Sequence, residues 1–540
     1  MVKISRAVFW AMTSMLAMLL LISCTSPEPQ FAPQSSAERR GHQESSIEHT
    51  VSKPAAGDIN TFGSPSTADE EGPLKIGIQE AILMAMQNNQ GLVVERMNPA
   101  IKRTFEEQER AIFDPVFGFQ LSSRRALAER LSRAGSSTEM STVDAIQGST
   151  FLDTLFPTGT TLSVQGSTST TDSSLYSDTF AETRLGLTVT QALLQGADIR
   201  ANMASVRQAK IDTLISKYEV RGFAEVLLEE VESRYWDYAL AQRRIEIYTN
   251  SLSLAEKQMA EVQERIKIGR LAETELAAAQ AEVALRAENL INARSDLAKA
   301  RLVLLQLLKH RGKNMWDRQI ILENQPSVPT VELADVEEHV NVALKMRPDL
   351  NQARLAVQRG ELEVIKTKNG LLPRLDFFIT FGKTGYSDTF RRSVSNVGGD
   401  SYDVMGGLVF EYPPLNRDAE ARHDRAVITR QQSAEAVGNL EQLVQVDVRS
   451  AYIEVNRAKE QIAATTATRR FQEEKIRAET EKFRVGKSTS LLVAQAQRDL
   501  VASQIAEVEA VVNYLKSLVN LHRLEGSLLE RRGISTISAY

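Results

Sequence analysis

The chain offers few residues able to do bond-making chemistry. Its single cysteine, Cys24, rules out an intramolecular disulfide and a cysteine-based metal site. The six histidines (His42, His49, His310, His339, His423 and His522) are scattered. None stands four residues from another, the spacing that sets two imidazoles on one helix face toward a metal. They read as surface or interface residues. Carboxylates are plentiful, yet no paired-carboxylate, Ser-His-Asp, phosphate-loop or zinc pattern rises above chance. The expectation is a protein with no catalytic residues, no metal and no cofactor. A formal net charge of -5 and the absence of a basic cluster argue against a nucleic-acid partner.

Cys24 suits a different chemistry. Lys3 and Arg6 precede an apolar run over residues 8–22, which is short of the roughly 20 residues that span a bilayer. Length and flanking charge fit a secretory signal peptide over residues 1–23. The run ends in Leu21-Ile22-Ser23-Cys24, which resembles a bacterial lipobox. That resemblance implies cleavage before Cys24 and diacylation of its sulfur, palmitate included. Thr25, where an aspartate would signal retention in the inner membrane, resembles the sorting pattern of outer-membrane lipoproteins. Residues 24–72 are rich in Pro, Ser, Glu and Gln, too polar to bury a core, and read as a flexible tether.

The remainder is built twice. Leu92 aligns with Leu350, and at the same offset Ala85 meets Ala343, Pro115 meets Pro373 and Phe119 meets Phe377. Farther on Val189 matches Val409, then Tyr235 matches Tyr452 and Gly269 matches Gly486. The first repeat takes residues 73–310 and the second 334–529, with a connector over 311–333 and a tail over 530–540. The offset shrinks because the first repeat carries extra residues, mostly between Ser123 and Thr160. Each copy reads as helix, β-segment, long helix, Gly turn, helix. The proline-free stretches 197–268 and 417–484 would reach about 100 Å as continuous helices. In each copy two shorter helices, over 74–112 and 271–310 or 334–369 and 488–525, sum to nearly the length of the long one. Two short helices stacked end to end beside one long helix make a uniform rod. Leu276, Val283, Leu290, Leu297 and Leu304 recur every seven residues, a coiled-coil seam with Arg286 as the exception on its second row. The second repeat carries Val493, Leu500, Tyr514 and Leu521, with Glu507 breaking the seam.

The β-segments alternate with period two: residues 115–123, 160–165, 185–190, 375–382 and 402–410 each show one apolar and one polar face. Such segments suit a transmembrane β-barrel. Four or five strands cannot close a barrel alone, and lipid tolerates no open edge, so subunits would have to share one. The polar stretch 124–157 would be an extracellular loop or an added hairpin, the loop being favoured.

Together these residues resemble the TolC-like outer-membrane efflux family. The resemblance is carried by EAILMAMQNNQGL and EEHVNVALKMRPDL opening the repeats, DPVFGFQL and LPRLDFF before the strands, TQALLQG and YPPLNRD after them, and ERIKIGRLAETELAAAQ and EKFRVGKSTSLLVAQAQ at the helical turns. It implies a mainly helical chain with a transmembrane β-barrel contribution. Three copies would form a periplasmic α-barrel and a shared twelve-stranded β-barrel, four strands from each. Passive conduction would follow, served by a periplasmic adaptor and an inner-membrane pump of RND or ABC type, as in efflux or type I secretion. The turns at Gly269-Arg270 and Gly486-Lys487 correspond to the adaptor-docking tips. Glu275, Leu491, Leu492 and Gln495 are the candidate aperture. Relatives carry acidic residues where Leu492 and Gln495 stand, and a cation where Ser488 stands. Closure would therefore be held differently, through Leu491 or Leu492. The alternative is a periplasmic adaptor or a structural coiled-coil lipoprotein.

Overall fold

A computed structural model describes residues 72–131, 138–174, 178–309, 316–329 and 333–534. Cys24, His42, His49 and His310 lie outside them.

The first apolar segment is not helical from its start. Leu74–Ile76 is a strand, β1, whose partner comes from the connector. Helices α1 (Ile78–Asn88), α2 (Gln90–Glu95) and α3 (Asn98–Arg110) follow. Asn89 makes the first break: its backbone is extended and its side chain accepts a hydrogen bond from Leu92 N–H at 3.1 Å, capping α2. Six strands separate α3 from the second repeat's helices or interrupt them. These are β2 (Val116–Leu131), β3 (Thr138–Leu155), β4 (Thr160–Ser173) and β5 (Phe180–Ala192) in the first repeat, then β7 (Arg374–Ser387) and β8 (Tyr402–Glu411) in the second. They form one antiparallel sheet in the order β2-β3-β4-β5-β7-β8. Strand β6 (Ile320–Leu322) pairs in parallel with β1.

Two strands more than the expected four therefore belong to the sheet. Residues 124–131 and 138–155 are strand, not surface loop: the first extend β2 and the second form β3, in register from Val116 opposite Asp153 to Leu131 opposite Thr138. With β4, β3 makes the added hairpin.

The helices follow the sequence closely. A single turn, α4 (Ile199–Asn202), capped by the Asp198 carboxylate, leads into α5 (Ala204–Lys267) and α6 (Thr274–Leu308). The second repeat gives α7 (Val336–Met346) and α8 (Pro348–Gly370), broken at Arg347 because Pro348 drives the preceding residue out of the helical region. A short helix α9 (Phe390–Asn396) joins β7 to β8. Then come α10 (Arg417–Arg484), α11 (Ser490–Leu524) and a last turn α12 (Leu528–Arg531). At 68 residues α10 is about 100 Å long. The long α5 packs on both α3 and α6, and α10 on both α8 and α11. Contacts of α5 with α8 and α11 join the repeats.

The main core sits where the short helices meet, beside the middle of α5. Ile82, Leu92, Leu228, Leu304, Leu308 and Leu528 are buried there. Tyr235, wholly buried, donates its hydroxyl proton to the Ile76 carbonyl at 3.2 Å and accepts from Asn324 N–H at 3.3 Å. Tyr238 donates to the Ile320 carbonyl at 3.1 Å. Two tyrosines one helical turn apart thus hold the β1–β6 ribbon on α5. A second core of Val340, Val444, Val448, Val455 and Leu521 does the same for α10. The seam exceptions are paired. Arg286 is buried against Glu282 at 2.5 Å, and Glu507 receives Thr466 and Arg469 from α10 at 2.9 and 2.6 Å.

Candidate functional site

Three regions carry the features that bear on function. The first is the pair of helical turns. After α5, Gly269 takes φ +68° and after α10, Gly486 takes φ +75°, the left-handed conformation that only glycine adopts without strain. The bonding is the same at both turns. Arg270 N–H reaches the Arg265 carbonyl and Lys487 N–H the Lys482 carbonyl, each at 2.8 Å, while Gly269 and Gly486 bond Ile266 and Phe483. This is the Schellman closure, which satisfies the last carbonyls of a helix. The two turns lie beside each other within one chain. Glu275, at the start of α6, accepts from the Ser490 hydroxyl at the start of α11. The Arg265 guanidinium lies over the Phe483 ring, 4.9 Å from its centroid. Val262, Glu282, Thr480 and Val493 line the groove between them. Leu491 and Leu492 are 54% and 46% exposed, and Gln495 is exposed too. Of the expected aperture residues, Glu275 is thus engaged inside the protomer, and the two leucines are free.

The second region is the sheet. Following partners across all six strands, one row reads Phe117, Leu152, Val164, Leu187, Phe381, Val404, each side chain exposed. A row on the opposite face reads Gln120, Ser149, Ser167, Arg184, Thr384. One face is apolar and open, the other polar. On the polar face Arg184 grips the Asp403 carboxylate with both guanidinium nitrogens, at 2.5 and 2.6 Å, reaching across Gly382. A methyl group on Gly382 would fall 2.5 Å from that guanidinium, so the glycine makes the bridge possible. Toward the β7–β8 connection α9 covers the apolar face, its buried Ser393 bonding Thr183 at 2.7 Å.

The third region lies where α12 closes onto the bundle. His339, expected at a surface or an interface, is buried here within the chain. Its Nδ1–H donates to the Glu525 carboxylate, which also accepts from Ser527 at 2.7 Å and Arg531 at 3.2 Å. Burial raises the Glu525 carboxyl, but the His339 and Ser527 bonds and the Arg531 charge outweigh it and hold it below the usual range. Arg532 clasps the Glu232 carboxylate, whose side chain is 0% exposed. Arg221 spends its shortest contacts on the Gly526 carbonyl at 2.7 Å and Glu530 at 2.8 Å, leaving Glu225 a longer one of 3.5 Å.

Burial therefore pushes the Glu225 carboxyl up to about 8, against the Arg221 charge and helped by Glu530. A raised carboxyl favours the folded state while it holds its proton. That contribution is complete below the ordinary 4.5 and is lost as pH climbs through about 8. Burial together with Arg531 lowers His522 to about 4, so its contribution is present above 6.5 and lost as pH falls toward 4. Between pH 6.5 and 8 Glu225 acts alone of the two. Melting temperature is expected to drop across that window in the wild type and to stay level in Glu225→Gln. Parallel slopes in the two proteins would refute the assignment.

The chain thus combines long paired helices, Gly-closed tips and a sheet with one apolar and one polar face. Comparison with known proteins gives the family and the fold. A profile of the outer membrane efflux protein family matches residues 154–309 and 340–527, and the chain belongs to that family. It is 23% identical over 329 residues to the outer membrane efflux protein BepC of Brucella suis, covering 60% of this chain and 68% of BepC. The fold is similar to that of CusC, with a TM-score of 0.62 at 16% identity over 83% of this chain and 92% of that one. It is also similar to the Campylobacter jejuni CmeC outer membrane channel, with a TM-score of 0.59 at 15% identity over 84% and 86%.

Proposed function

We propose that three copies of this chain form a continuous duct that conducts substrate passively from the periplasm to the exterior. The observation that carries this reading is the two-faced sheet on the end of a bundle of long helices. The apolar band runs along β7 from Leu375 to Lys383, about 26 Å along the strand before tilt and close to the ~25 Å band of outer-membrane barrels. Lipid would cover that face, and water would fill the polar side. The helices hang into the periplasm, where the tips at Gly269, Arg270, Gly486 and Lys487 receive a periplasmic adaptor. The adaptor couples the duct to an inner-membrane pump of RND or ABC type. Cys24, acylated, adds a lipid anchor.

Fractionation tests the placement. The chain is expected in the outer membrane as a trimer that withstands mild detergent. A chain released from the membrane as a monomer would favour the adaptor reading. Cys24→Ser is expected to lose labelling by radioactive palmitate and still form trimers; undiminished labelling would remove the lipid-anchor assignment.

The tips also close the duct. Glu275 is held by Ser490, so the exposed Leu491 and Leu492 are the apolar groups left to meet their copies around the axis. Leu492→Ala removes one such contact per protomer. The mean conductance of single trimers in planar bilayers is expected to rise, and unchanged opening would overturn the leucine closure.

A further inference from the structure

We propose that each protomer gives six strands to the barrel, so that three copies close a wall of eighteen, with β2 of one copy pairing to β8 of the next. The inference rests on the trimeric-barrel reading and fixes how that barrel is built.

Four observations carry it. The strand order runs unbroken from β2 to β8, and the added strands β3 and β4 are paired on both sides over Val143–Asp153 and Thr161–Thr171. The apolar row keeps its character through them, with Leu152 and Val164 standing level with Leu187 and Phe381, while Ser149 and Ser167 stand on the polar face beside Arg184. A hairpin swung out into water would expose the first pair, and one folded into the lumen would strip both ladders.

The turn that creates the extra hairpin is built into the strand-to-helix junction. Asn202 donates to the Pro157 carbonyl at 2.9 Å, Gln191 to the Thr158 carbonyl at 3.0 Å, and Ala192 N–H to the Gly159 carbonyl at 3.0 Å. Finally, the two edges are finished alike. In edge strand β2 the Phe151 ring covers Gly118, and in edge strand β8 the Phe378 ring covers Gly407. An aromatic ring laid over an edge glycine fixes the register of an outermost pair. Neither edge can stay open in lipid, and the occupant that meets both is a second copy of this chain, presenting β8 to β2 around a closed ring.

The consequence is width. Barrel diameter grows roughly linearly with strand number, so eighteen strands make a mouth about one and a half times as wide as twelve. The helical tips, not the barrel, then set the size of what passes.

Spin labels placed by Leu152→Cys, Val164→Cys and, as a control, Leu187→Cys test the arrangement in outer-membrane vesicles carrying the full chain, with unsubstituted protein reporting any signal from Cys24. Labels at positions 152 and 164 are expected to relax with oxygen rather than with a water-soluble nickel chelate, as at 187, whereas a label from Ser163→Cys responds to nickel. If 187 behaves as lipid-facing while 152 and 164 respond to nickel, the six-strand share is overturned and the trimeric barrel stands. If 187 itself responds to nickel, both fall. Imaging of the unsubstituted trimer in nanodiscs gives a count free of any variant: eighteen strands support the proposal and twelve overturn it.

Discussion

Replacing Arg532 with alanine is expected to cost about 3–5 kcal/mol of folding stability, the range for stripping a buried carboxylate of its partner. The target is Glu232, on the core face of α5 with no exposed side-chain surface, whose two carboxylate oxygens both receive Arg532. Burial raises its carboxyl, against the Arg532 bond and charge, so the anion depends on that clasp. The double variant Glu232→Leu with Arg532→Leu removes the stranded charge along with its partner and is expected to lose far less. Thermal or denaturant melting of the two variants beside the wild type checks this. A loss under about 1 kcal/mol for Arg532→Ala would mean the pair behaves as an exposed one.

The second large effect is at Gly159→Ala. Gly159 has φ +75°, and a methyl group there would lie 2.1 Å from the Gly196 carbonyl oxygen. The left-handed backbone costs a side chain about 1–2 kcal/mol and overpacking a further 1–3, together about 2–5 kcal/mol. Gly269→Ala is the matched control. Its φ is +68°, but nothing lies within 4 Å of the added carbon, so only the backbone cost of about 1–2 kcal/mol applies. The measurement is the fraction of heat-resistant trimer and its melting temperature. Equal losses at the two glycines would show that Gly159 is only a turn residue and that the junction does not grip the hairpin.

What could be read from the sequence was what repeats locally. The 417–484 helix is α10 to the residue, because sixty-eight residues without proline but with continuous helical periodicity allow no other reading. The tip glycines were legible because their surroundings occur twice. What escaped depends on residues far apart in the chain. Leu74–Ile76 looks like the opening of an apolar helix, and only Ile320–Leu322 makes it a strand. The burial of His339 comes from Glu525, 186 positions away, which no spacing rule reveals. The added hairpin escaped for a different reason. Beyond the apolar band β2 and β3 carry Arg125 opposite Asp144 and Glu129 opposite Met140, so both faces turn polar and the period-two contrast fades. Glu275 meets Ser490 of its own chain, two residues beyond Ser488, and Ser488 bonds Glu479 instead, a pairing that no spacing reveals.

The central claim is that this chain forms a water-filled passage across the outer membrane. Its most direct test is electrical: purified trimer reconstituted into a planar bilayer with salt on both sides and no adaptor or pump. Discrete single-channel steps are expected, appearing without any energy source and growing larger or more frequent with Leu492→Ala. A folded, membrane-inserted trimer that passes no current in either the wild type or the leucine variant would contradict the claim.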